Sequence, residues 1–126
     1  MVERGGRLVR IGYWKEPNHS DWPDPSRFID PQWDPEERDD VACHLEGGMV
    51  VKSYMGPSRC RFCGTLNGNR ELTDGVYVWP EGLSHYLREH QVRLPGVFAD
   101  HVRRMIDVFD DVVIDDAWWR SRVSLE

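Results

Sequence analysis

Cys60-Arg61-Phe62-Cys63-Gly64 places two thiols two residues apart, just ahead of a glycine. Such a turn points two thiolates at one ion while backbone amides hydrogen-bond to sulfur, and zinc then asks for two more nitrogen or sulfur donors to complete a tetrahedron. His85 and His90 are the natural partners and give C-x2-C-x21-H-x4-H. The expected metal set is therefore Cys60, Cys63, His85 and His90, with Zn2+ as the ion. The central spacer exceeds the roughly 12–15 residues of an ordinary C2H2 finger, so the site is finger-like or treble-clef-like. Cys43, His44 and His101 are the competing donors. Cys43-His44 falls late in an expected helix and His101 on the face of another, where neither needs a metal.

The spacing carries a geometric demand. Residues five apart on a regular helix lie about 140° apart round the axis, too far for both imidazoles to reach one ion. The helix must tighten or end near Glu89-His90, and the proline in Leu94-Pro95 agrees, because it biases the preceding residue out of helical geometry.

Catalytic readings of the cysteine pair are weaker. A redox C-x-x-C opens a helix after a strand, whereas this one leads into the turn-rich Gly64-Thr65-Leu66-Asn67-Gly68-Asn69. The run His85 to His90 is one residue too long for an H-x-x-E-H zincin, and H-E-x-x-H is absent. A deaminase needs proline before its cysteine pair, where this chain has Ser58-Arg59, although His44-Leu45-Glu46 has the H-x-E form. A zinc hydrolase or deaminase stays as the third functional class. Glu89 is expected to pair with Arg88 or Arg93, or to orient a ligand histidine.

The elements that must hold these residues can be read in order. Leu8 to Trp14 is strand-like. Glu16 to Trp33, with four prolines and the aromatics Trp22, Phe28 and Trp33, has neither helical nor strand period and is expected to pack as an ordered wrap. Asp34-Pro35-Glu36-Glu37 starts a helix as N-cap, first-turn proline and capping-box glutamate, and Gly47-Gly48 ends it. Met49 to Tyr54 is a strand; Glu71-Leu72 and Val76 to Trp79 flank Thr73-Asp74-Gly75 as a hairpin. Pro80-Glu81-Gly82 opens the histidine helix, and Pro95 opens a last helix with Phe98, Val102, Met105, Ile106 and Phe109 on one face. In the tail, Val112-Val113-Ile114 reads as strand, Asp116 to Arg122 as a short helix, and Trp118 and Trp119 as packed. Leu125-Glu126 resembles a cloning remnant and carries no functional weight.

At 126 residues, 40% of them hydrophobic, the chain suits one domain. Its sections are residues 1–48 (strand, wrap, helix), 49–95 (knuckle, hairpin, helix) and 96–126 (helix, tail). The fold class is α+β, a small antiparallel sheet from residues 8–14, 49–54 and 71–79 with about three helices. No apolar run approaches a membrane span and no signal peptide opens the chain, so a cytoplasmic protein is expected. Three cysteines fit a reducing compartment.

Net charge is −6, and residues 15–46 carry ten acidic against three basic side chains, whereas residues 52–93 carry six basic against four acidic. That balance repels nucleic acid unless Arg59, Arg61, Arg70, Arg88 and Arg93 share one face. Thr73, Asp74, Tyr77, Trp79, Glu81 and Tyr86 concentrate polar and aromatic groups round the finger, a composition over-represented at protein interfaces. In the strand, Trp79 reads mainly as core, and Tyr77 as core or surface alike.

The block from Cys60-Arg61-Phe62-Cys63-Gly64 through Asn67-Gly68, "ELTDGVYVWPEGLSHYLREH" and Val92-Arg93-Leu94-Pro95 resembles a group of small bacterial proteins. The likeness covers about a third of the chain, and Trp22-Pro23-Asp24-Pro25 with Trp33-Asp34 extends it. It implies zinc ligands at the cysteine and histidine positions and brings no activity with it. The expected function is thus a zinc-stabilised, non-catalytic module that binds another protein, with nucleic-acid binding as the alternative.

Overall fold

The structure is a computed structural model that describes residues 6–16 and 21–122. The first residues before the opening strand, part of the proline-rich wrap and Leu125-Glu126 lie outside it. Element order is β1 (Val9–Arg10), α1 (Pro35–Glu46), β2 (Met49–Ser53), β3 (Arg70–Thr73), β4 (Tyr77–Pro80), α2 (Leu83–His90), α3 (Gly96–Asp110) and α4 (Ala117–Arg120), with a 3-10 turn at Pro25–Phe28. The fold is α+β. Its four strands run in the order β1-β4-β3-β2, antiparallel except that β1 lies parallel to β4. The expectation of an antiparallel sheet needs that one amendment. The long connection from β1 through the wrap and α1 frees β1 from hairpin geometry, so it can join the far edge in either direction.

Helix α1 starts as its residues dictate. The Asp34 carboxylate accepts from the Glu37 amide, and Pro35 takes the first helical position. The Glu37 side chain does not close a capping box; it accepts from the Trp33 indole and pairs with Arg103 of α3. That choice ties the end of the wrap to two helices. The described part of the wrap is ordered, with Trp33 in the core, Phe28 against Trp14 and Trp22 against Tyr13. Backbone bonds from Asp30 to Gln91 and from Arg93 to Phe28 lay it along the α2–α3 connection.

The core joins Trp14, Trp33, Val41, Leu45, Leu72, Trp79, Leu83, Leu87 and Phe98, contributed by the sheet, the wrap and α1 to α3. Trp79 is fully buried and donates its indole N–H to the Leu45 carbonyl at 3.1 Å, so its role is structural. Gly48 lets the chain pass beneath it: a β-carbon there would lie 2.8 Å from the Trp79 ring and 2.9 Å from Leu72 Cβ. The tail differs from expectation. Val112-Val113-Ile114 forms no strand, and Trp118 and Trp119, each 68% exposed, touch one another rather than the core. Their helix α4 has only four residues, too few to bring an apolar face onto another element.

Candidate metal centre

The knuckle is a tight hairpin of its own. Arg59 bridges Leu66, the Cys60 amide donates to the Thr65 carbonyl at 3.0 Å, and the Gly64 amide returns to the Cys60 carbonyl at 2.9 Å. Gly64 has φ +72°, a left-handed conformation that closes the turn and that glycine adopts at least cost. The Phe62 amide lies 3.4 Å from the Cys60 sulfur, the amide-to-sulfur bond expected of a knuckle.

Helix α2 presents the histidines from the opposite side. Donor atoms of Cys60, Cys63, His85 and His90 all lie within 4.8 Å of one another, and Cys63 Sγ is 3.4 Å from His85 Nε2. Cys60 is buried, Cys63 exposed and both histidines half-buried. The structure therefore brings together all four expected ligands, and this group can hold a metal ion. Cys43, His44 and His101 are not part of it: Cys43 is exposed on α1 beside Arg88, and the two histidines meet elsewhere.

The helix ends at His90, and the manner of its ending brings the imidazoles together. Gln91 adopts φ +58°, and its N–H reaches back five residues to the Tyr86 carbonyl; the Val92 N–H joins the same oxygen at 3.1 Å. This closure is wider than an α-turn, in the manner of a π-turn, rather than tighter. Widening brings residues five apart towards one face, and the His85 and His90 rings lie 5.0 Å apart.

Two features fit a bound cation. His90 Nε2 is buried without a hydrogen-bond partner, a costly arrangement that a metal would relieve. The Cys63 thiol is pulled down to about 5, first by the Thr65 hydroxyl and backbone and then by His90 and His85, so it is a thiolate ready to ligate at neutral pH. Two sulfurs and two imidazole nitrogens are a donor set suited to tetrahedral zinc.

Residues beyond the ligands set the geometry. The Tyr86 hydroxyl accepts from the Arg61 amide at 2.8 Å; burial raises its pKa, and the adjoining Cys60 sulfur adds to the effect. Asn67 donates to the Gly82 carbonyl, and Glu81 accepts from the Asn69 and Arg70 amides and pairs with Arg70. Knuckle, hairpin and helix are thereby locked as one unit. The sequence places Tyr86 on the helix with Leu83 and Leu87 and among the aromatics round the finger but gives its hydroxyl no role; its position next to His85 was the available signal. Glu89 does not find the arginines expected for it, because Arg88 pairs with Asp39 and Glu46, and Arg93 with Asp30.

No family model matches the chain, and no curated protein or solved structure is significantly similar to it.

Proposed function

We propose that the protein is a non-catalytic protein-interaction module whose fold is held by one structural zinc ion on Cys60, Cys63, His85 and His90. The observation that carries this reading is the convergence of four protein donors on one point, which fills a tetrahedral shell and leaves no position for a reacting water. That argues against the hydrolase and deaminase alternatives.

The edge strand β2 favours a protein over a nucleic acid. All five of its residues are exposed, including Met49, Val50 and Val51, and among the described residues it borders the sheet with one side unpaired. Such an edge is a template for an added strand. Four of the five arginines near the site are engaged by carboxylates, Arg61 by Glu16, Arg70 by Glu81, Arg88 by Asp39 and Glu46, and Arg93 by Asp30, while Arg59 donates to the Gly64 carbonyl, which argues against a basic face built for phosphates. No helix among the described residues is long and apolar enough to cross a membrane; a cytoplasmic setting and kinship with the small bacterial proteins sharing the block belong to the same proposal.

Two measurements test it. Metal analysis should find zinc, and chelation should lower the melting temperature, since metal-binding energy is folding energy here. A photocrosslinker at Val51 should capture a protein in the native cell, and the V51D variant should lose that partner. Retention of the fold on complete zinc removal, or adducts to nucleic acid alone, would contradict the reading.

A further inference from the structure

A second cluster of donors lies away from the knuckle. His44 comes from α1, His101 from α3 and Asp74 from the β3–β4 turn, three elements far apart in sequence. His44 Nε2 is 2.8 Å and His101 Nε2 2.7 Å from the same atom, Asp74 Oδ2. The other carboxylate oxygen is committed elsewhere, accepting from the Val76 and Tyr77 amides at 2.9 and 2.8 Å. The side chains are 16, 11 and 6% exposed for His44, His101 and Asp74. Trp79, Phe98 and Tyr77 surround the imidazoles.

We propose that His44, Asp74 and His101 form a second metal site, distinct from the cysteine centre, for a borderline divalent cation such as zinc, cobalt or nickel. Three donor atoms converge within 4.8 Å on one side of a carboxylate whose orientation is fixed by backbone amides. Bonds of about 2.0–2.2 Å to nitrogen and oxygen place tetrahedral ligands roughly 3.3–3.6 Å apart, so a cation enters if each imidazole draws back from the carboxylate by somewhat more than about half an ångström. The set is two imidazoles and one carboxylate, without sulfur. Imidazole nitrogen selects zinc, nickel, copper or iron over calcium and magnesium, which prefer all-oxygen shells. With three protein ligands, the ion keeps a position for water or an incoming donor, unlike the closed shell at the knuckle.

The competing arrangement is a proton-filled clamp in which two neutral imidazoles each donate to Asp74. Stoichiometry separates the two. Native mass spectrometry and cobalt titration of the full chain should give two equivalents for the wild type and one for H101Q and D74N. The thiolate-to-cobalt absorption of the cysteine centre should persist in both variants. A wild type saturating at one equivalent, with that absorption fully developed, overturns the proposal and leaves a hydrogen-bonded clamp only. So does an H101Q protein that still binds two. Should either variant fail to fold, the wild-type stoichiometry decides alone. Failure of the cysteine reading would show separately, as missing thiolate absorption.

Discussion

Replacing Tyr86 by phenylalanine deletes one oxygen from the support of the metal centre and leaves the ring against Trp14 and Phe62. The lost group accepts the Arg61 amide at 2.8 Å, between the two cysteines, and adjoins the Cys60 sulfur. A net hydrogen bond contributes about 0.5–1.5 kcal/mol, and more where a buried donor is stranded. The bond is part-buried and joins two neutral groups, so the middle of the net range applies, about 1 kcal/mol. Because the bond fixes the knuckle over α2, the loss should fall on metal binding: with about 1.4 kcal/mol per tenfold, zinc affinity should weaken roughly fivefold. Competition against a chromophoric chelator reads that change, and urea melts of the zinc-free chain read any loss independent of metal. Trp79→Phe is the control, since it removes a buried bond to Leu45 remote from the knuckle and should cost stability without altering zinc affinity. If Y86F binds zinc like wild type while losing stability, or if W79F weakens zinc equally, Tyr86 is a core residue and not a positioning one.

Three other outcomes follow from the structure. Burial pushes the Glu71 carboxyl up, but the Tyr13 and Tyr54 hydroxyls and Arg10 outweigh it and hold it below its usual range. Its stabilisation is therefore present above the ordinary carboxyl pKa and lost as pH falls through the lowered value; E71Q should be destabilised by about 1–3 kcal/mol at pH 7 and show a shallower loss of stability below about pH 4 in acid melts. Gln91 occupies left-handed backbone at the end of α2, so Q91G should raise stability by about 0.5–1 kcal/mol, read by thermal melting. Trp118→Ala and Trp119→Ala should change stability by no more than about 0.5 kcal/mol, because both rings are exposed; a larger loss would mean that the tail packs on the domain.

How far the chain could be read without coordinates follows from the range of the interactions involved. Helix α1 was legible because Asp34-Pro35 and Gly47-Gly48 act within a few residues of themselves. The four residues of the candidate metal group were legible because ligand chemistry restricts residue type and spacing. Even the ending of α2 was demanded by the histidine spacing, although the proline suggested termination and not the widened turn that Tyr86 and Gln91 build. Pairing of β1 with β4 was not legible: two residues of strand carry no directional signal, and their partner lies some 68 positions away, at Tyr77 and Val78. The tail misled because Val112-Val113-Ile114 and two tryptophans satisfy strand and core propensity while nothing nearby receives them.

His44 and His101 show a different limit. In the sequence they compete with His85 and His90 for the knuckle, since every histidine near a cysteine pair is a candidate ligand. The fold resolves the competition by topology. The turn between β3 and β4 carries Asp74 to the far end of the hairpin, where α1 and α3 each offer one imidazole. At the other end, the strand exit passes into α2 and onto the knuckle through Glu81, Asn67 and Tyr86. The hairpin is thus fastened at both ends by histidine-containing clusters of opposite chemical taste, one with sulfur and one with carboxylate. The short hairpin buries Leu72 and Trp79 in the core, and the hydrogen bonds at its two ends add to that packing in holding its register against the helices.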